Sequence, residues 1–361
     1  MRVPVLLAML SLGVFACRST ADGVPAEASE ASSEASGRPP AESAEAAPRA
    51  PSLDAALESI TAEELRGHVT RLASDSMRGR ATPSAELDEA AQYLAQTFAS
   101  SGISSGPSGH RKLAVACGPR GEDAFNVLGM LPGTTDEVIM VTAHYDHVGE
   151  TAEGDDRIFN GANDNASGVA AVLSLAHALA RAPTQPRRSL AFVAFCGEEH
   201  HFLGSTAFAA APPFELGKVV AMFNLEMLGH PDPADPRRAW VTGHAYSSLH
   251  EWLDRGGAKD EVTFVSGKAI GPVEGNAFER SDNLPFAAQG VVAHTIAAGP
   301  LDEHYHAVSD EISRVDFEAM VPLVRSIARA VDELAHSEAR PVWSDEAPGR
   351  FTRPASNTSR P

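Results

Sequence analysis

Four nearly uninterrupted apolar runs, Val138 to Ala143, Leu190 to Phe195, Val219 to Leu225 and Val291 to Ala297, constrain this chain more than anything else in it. Apolar runs of that length are strands buried on both faces, as in parallel sheets covered by helices. A further strand is expected over Asn126 to Leu131, stopped by Pro132-Gly133, and a short one over Trp240 to Thr242. Helical spacing appears at Leu87, Ala91, Leu94, Ala95 and Phe98, in a helix expected over residues 84–100 and ended by Gly102. It returns at Phe317, Met320, Val324, Ile327, Val331 and Leu334, in a helix over Asp316 to Leu334. Ala166 to Ala180 reads as a third helix, with Asp164 and Asn165 as candidate caps. Strands alternating with helices predict an α/β fold: three layers, with a mostly parallel central sheet and helices on both faces.

The ends differ in character from this middle. Met1-Arg2 is a short positive start, Val3 to Leu12 is almost wholly apolar, and small residues lead to Cys17. The apolar stretch is too short for a stable membrane anchor, so it is an export signal. Its spacing resembles a bacterial lipoprotein signal over 1–17, with Cys17 lipidated; an ordinary secretory signal cut nearby is the alternative. Residues 18–52 are rich in Ala, Glu, Ser and Pro without an apolar period and are expected to be a disordered tether. Residues 337–361 are expected to be a disordered tail, which leaves 53–336 as one domain. The formal net charge of −19 argues against nucleic acid as a partner. Cys117 and Cys196 could pair in an oxidising compartment or remain buried thiols; the sequence leaves both open.

In open α/β sheets, ligands bind beyond the carboxyl ends of the strands. That is where this sequence concentrates its chemistry. His144 and Asp146 follow the 138–143 run, Glu198 and Glu199 follow 190–195, Glu226 closes 219–225, and Tyr305 and His306 lie in the loop after 291–297. Asp164 sits just before a helix. Taken singly, each has a plainer use: His-x-Asp in a surface turn, Asp164 as a helix cap, the glutamate pair as an acidic helix start. Taken together, two histidines, three carboxylates and one spare carboxylate are the inventory of a two-zinc hydrolytic site with its own general base. Glu198 and Glu199, as neighbours, are expected to point apart, one to metal and one to water.

In this order the fragments resemble the co-catalytic zinc exopeptidases, the family of bacterial secreted aminopeptidases, the yeast vacuolar aminopeptidase, glutamate carboxypeptidase and the transferrin receptor. The resemblance covers residues 61–335, including His68 to Asp75 with Gly79-Arg80 near the start and Gly204-Ser205 after the glutamate pair. It implies the zinc-exopeptidase sheet and two zinc ions per chain. The implied metal ligands are His144, Asp164 as the bridge, Glu199, Glu226 where many members have aspartate, and His306. It also implies Glu198 as general base, Asp146 as the residue that orients the site, and Tyr305 as a hydrogen-bond donor to the substrate carbonyl. Asp310 would hold the loop, Ser281-Asp282-Asn283 would border the substrate, and His200 and His201 would not be ligands. No room is left for an extra protease-associated domain before the strand at 126.

The function implied is a zinc-dependent aminopeptidase acting on peptides, exported and held at the cell envelope only through a lipid on Cys17, or secreted. A glutaminyl-cyclase-like enzyme with one zinc is the first alternative, although it would not need His144. An inactive receptor or binding domain is the second, although that case is marked by lost ligands. A carboxypeptidase would need a basic pocket, for which Arg280 is the only obvious source.

Overall fold

A computed structural model describes residues 48–109, 111–116, 123–267 and 277–352. The export signal, Cys17, Cys117 and most of the expected tether lie outside the described residues. The strands are β1 (Lys112–Ala116), β2 (Asp123–Leu131), β3 (Val138–His144), β4 (Ser189–Phe195), β5 (Val219–Leu225), β6 (Arg238–Val241), β7 (Thr263–Ser266) and β8 (Ala293–Ala297). They form an eight-stranded sheet in the order β1-β2-β4-β3-β5-β8-β6-β7. The inner four, β4-β3-β5-β8, run parallel. Antiparallel pairings join β1 to β2, β2 to β4 and β6 to β8, so the sheet is mixed towards both edges.

The helices are α1 (Leu53–Leu57), α2 (Ala62–Leu72), α3 (Ala85–Ser100), α4 (Gly168–Ala180), α5 (Leu203–Ala210), α6 (Leu249–Gly257), α7 (Asn283–Ala287) and α8 (Phe317–His336). Alternation along the central strands divides the core in two. Ile139, Val141 and Ala143 of β3 and Leu190, Phe192 and Ala194 of β4 join α2, α3, α4, α6 and α8 in one cluster. Met140, Ala191, Val193 and Phe195 face the other way, onto Phe208 of α5 and Phe286 of α7. Helices therefore cover both faces, and the central strands have no solvated side. Ser84 caps α3 by accepting from Leu87 N, and Asp316 caps α8 by accepting from Ala319 N.

Two expectations need correction. Residues 337–352 are not a loose tail. Trp343 pairs its backbone with Ser247 and donates its indole N–H to Gly290 O at 3.0 Å, and Phe351 is fully buried against Phe278. Two aromatics anchor a segment whose polar composition hid them. The helix expected from Ala166 begins instead at Gly168, after an irregular π-type turn over Ala162–Ser167 in which Asp164 and Asn165 leave helical geometry. That turn is where the chain departs from local propensity, and it carries a central residue of the site.

The loops of the site are tied together by Arg80, whose side chain is buried. Its guanidinium donates to the carbonyls of Leu72, Tyr145, Asn160 and Gly161. Gly79, at φ +68°, is needed beside it: a Cβ there would sit 2.2 Å from Gly149 O.

Candidate metal centre

All the expected ligands meet at the carboxyl edge of the inner parallel strands. His144 is the last residue of β3, the Glu198-Glu199 turn follows β4, Glu226 follows β5, and His306 comes from the loop after β8. Asp164 enters from the turn before α4. Its carboxylate stands between two imidazoles: Oδ1 is 3.3 Å from His144 Nε2, and Oδ2 is 3.3 Å from His306 Nε2. Glu199 Oε2 lies 3.0 Å from the same nitrogen of His306. Donor atoms of His144, Asp164 and Glu226 approach within 4.8 Å of one another, and so do those of His147, Asp164, Glu199 and His306.

The Asp164 turn is held from both sides. Asp310 accepts from Asn163 N at 2.8 Å and Asp164 N at 2.9 Å, so it holds the loop as the resemblance implied. Asn165 Oδ1 accepts from Gly168 N and Met227 N, and its amide donates to Leu225 O. Asp146 is buried behind His144. Its carbonyl lies 3.2 Å from His144 Nδ1, one carboxylate oxygen accepts from Glu198 N, and the other accepts from Thr82 Oγ1. One residue thus orients the His144 imidazole and the turn that bears the glutamate pair.

The electrostatics follow from burying many acids together. Burial raises Glu198 well above the usual carboxylate range; His144 opposes this, while Glu226 and Asp282 add to it. Burial, with Asp164 adding, pushes Glu226 up to about 7. Burial works against charge on Asp164 as well, but the imidazoles of His144 and His306 beside it outweigh burial and hold that carboxyl far below the usual range. On His306, burial is outweighed by Asp164 and Glu199, which raise it to about 10. Burial, then the surrounding carboxylates, raises Tyr305 and keeps it a neutral phenol able to donate.

The donor set fits divalent metal. Zinc bonds of ~2.0–2.2 Å in a tetrahedron place donors about 3.4 Å apart, close to the spacings here. Asp164 Oδ2 and His144 Nε2 are buried with no hydrogen-bond partner among the described residues, as expected of atoms whose partner is an ion. Imidazole with carboxylate suits zinc.

Three features differ from the sequence reading or were missed by it. Glu198 and Glu199 do not point fully apart: a carboxylate oxygen of each lies within 4.8 Å of the other and of His144. Strand alternation ends at Gly197, with φ +67°, and the chain turns tightly through His201 and Phe202 at positive φ. Of the Ser281-Asp282-Asn283 segment, Ser281 lines a cleft with Glu226 and Tyr305, whereas Asn283 is buried, accepting from Thr295 Oγ1 and donating to Phe278 O. His147, three residues after His144, stands in the centre but is absent from the ligand set that the resemblance implies; a second histidine in His-Tyr-Asp-His is its signal in the sequence. Tyr305 stacks on the His306 ring at 4.0 Å and lines the cleft with Glu198, Glu199 and Arg280. Cys196 is disulfide-bonded.

A three-layer α/β sheet with histidines and carboxylates gathered at the ends of its parallel strands defines a hydrolase-type metal centre. The family model described as peptidase family M28 matches residues 126–331, more than half of the chain, and the chain belongs to that family. Leupeptin-inactivating enzyme 1 of Streptomyces exfoliatus is 28% identical over 223 residues, covering 58% of this chain and 48% of that protein. The probable lipoprotein aminopeptidase LpqL of Mycobacterium tuberculosis is 24% identical over 278 residues, covering 69% and 54%. The chain therefore spans about half the length of the curated relatives it matches. Among solved structures, the LapA aminopeptidase of Legionella pneumophila superposes with a TM-score of 0.64 at 18% identity, over 80% of this chain and 74% of that one. Glutaminyl cyclase of Porphyromonas gingivalis superposes with 0.63 at 18% identity, over 76% and 99%.

Proposed function

We propose that the chain is a zinc-dependent aminopeptidase that removes N-terminal residues from peptides, with two ions held by His144, Asp164, Glu199, Glu226 and His306. The observation that carries this is the placement of Asp164, with one oxygen toward each of two imidazoles, beside a spare carboxylate, Glu198. When bound, the ions would polarise the scissile carbonyl and make water more acidic. Glu198 takes the proton from the attacking water and returns it to the leaving amine. Its raised affinity for a proton suits that exchange. Tyr305, held as a phenol, donates to the oxygen that gains charge as the carbonyl is attacked. The acid-rich cleft also favours a substrate's α-ammonium group, which places the first peptide bond at the centre.

The likeness to a glutaminyl cyclase is one of fold and does not separate the two chemistries. The complete pair of donor groups favours the peptidase. Chelated protein, reloaded with zinc and offered aminoacyl chromophores and a peptide with N-terminal glutamine, is expected to release the chromophores with about two zinc ions bound. One tight ion unchanged by excess zinc, together with cyclisation of the glutamine peptide, would replace this reading by the cyclase. Preferential cleavage at a free carboxyl terminus, with Arg280 as its anchor, would make it a carboxypeptidase.

Export and anchoring belong to the same proposal. The Met1–Cys17 pattern and a curated lipoprotein relative support a lipid on Cys17. No described helix is long and apolar enough to cross a membrane. Native protein is expected in the membrane fraction, with Cys17→Ser releasing it. Soluble native protein with a different mature N-terminus would end the lipoprotein reading.

A further inference from the structure

His147 is a buried imidazole in the metal centre for which the five-residue ligand set has no place. Its side chain has no solvent exposure. Nδ1 lies 2.9 Å from Glu199 Oε1 and 3.9 Å from Asp164 Oδ2, and Nε2 is buried with no hydrogen-bond partner among the described residues. The ring sits edge-on to the His306 ring, with centroids 5.5 Å apart. Its position is fixed by close packing on Gly161, where a Cβ would fall 2.6 Å from His147 Cδ2. Gly161 lies at φ +57° in the loop that leads to Asp164, so the two loops lock the ring in place. The spacings around it bracket the roughly 3.4 Å edge of a tetrahedral zinc site.

We propose that His147 is a fourth protein donor to the metal position built by Asp164, Glu199 and His306. This rests on the two-metal reading above and makes the two positions unequal. The first, with His144, Asp164 and Glu226, has three protein donors and the second has four. Three-donor zinc sites keep a place open for water or substrate, whereas four-donor sites are closed and bind more tightly. The second position is then the anchor that fills first, and the first is the one that engages substrate.

Metal itself is the readout. The full chain, stripped and titrated with cobalt(II), is compared with His147→Gln and His147→Ala by ion count at buffered free cobalt and by proton NMR of the exchangeable, strongly shifted imidazole N–H resonances. Wild type is expected to show three such resonances, from His144, His147 and His306. His147→Gln is expected to lose one of them and to weaken one ion by at least ~10-fold while the other is unchanged. Glutamine can still donate to Glu199, so a variant that keeps the wild-type ion count and affinities would show His147 to be only a hydrogen-bond partner and would overturn the proposal. Two resonances in wild type would overturn it without any variant. The ion count of wild type alone reads the two-metal premise, so a failure there is seen separately from a failure of His147.

Discussion

Glu198→Gln is expected to lose at least ~10², and up to ~10⁴, of the turnover on aminoacyl chromophores while keeping the wild-type zinc content, because it removes the proposed general base and leaves the proposed ligands in place. Glutamine preserves the size of the side chain and the backbone N–H that donates to Asp146 at 3.2 Å, so the turn after β4 has no reason to move. Only the basic oxygen is gone. Glu199→Gln is the contrasting variant. Glu199 faces His306 at 3.0 Å and His147 at 2.9 Å, so neutralising it is expected to weaken one ion. The two glutamates are adjacent and their carboxylates are close together, so the contrast cannot be inferred from position alone. Metal content and turnover measured on both variants decide it. A Glu198→Gln protein that loses an ion, or that keeps most of its turnover, would reverse the assignment or end it.

The fold was legible because its central strands are buried on both faces. Such strands leave a simple signature, a nearly unbroken run of apolar residues, and the runs at 138, 190 and 219 end within a residue of the observed strands. Edge strands have no such signature. β1 (Lys112–Ala116) is only partly buried, and β7 (Thr263–Ser266) buries only Phe264 fully, so neither could be told from loop. The last segment was misread for a related reason. Composition averages over a window, whereas Trp343 and Phe351 are two side chains filling specific places, and sequence carries no record of the hollow that receives them.

The site was legible where a ligand ends a strand, and less so where the backbone turns. His144 and Glu226 follow from strand ends. The relative direction of Glu198 and Glu199 does not, because Gly197 breaks the alternation that the inference used. His147 was hidden for the same reason: its side chain reaches the centre only after the chain has left β3, where Arg80 donates to the Tyr145 carbonyl and strand alternation no longer applies. Asp164 looked like a helix cap because it stands where caps stand. The structure shows that Ser167, not Asp164, immediately precedes α4, and that Asp164 has been released from the helix to face two imidazoles.

That release makes Asp164 the residue whose loss reaches furthest. Asp164→Ala is expected to bind less than one zinc per chain under conditions expected to load wild type with two, and its turnover is expected to fall to background. In the proposed centre Glu226 and His306 each serve one position, so removing either is expected to leave the other intact. Asp164 offers Oδ1 toward His144 and Oδ2 toward His306 and serves both. The metal-free protein reads the same geometry independently. There Asp164 is ionised against the pull of burial because the imidazoles of His144 and His306 stand 3.3 Å from its two oxygens, and it in turn helps to raise His306 to about 10. Removing it takes away part of what favours the protonated ring, so His306 should release its proton at lower pH in the metal-free variant than in metal-free wild type. Stability moves with it: a histidine whose pKa is raised on folding stabilises the protein below its unfolded value near 6.5 and loses that contribution as pH rises through the folded one. The variant therefore loses most stability below neutrality, where wild type has the charged pair intact. Thermal melting of the two metal-free proteins from pH 6 to pH 9 would show their curves converging as pH rises. Parallel curves, or two ions retained by Asp164→Ala, would show that Asp164 does not join the two halves of the centre.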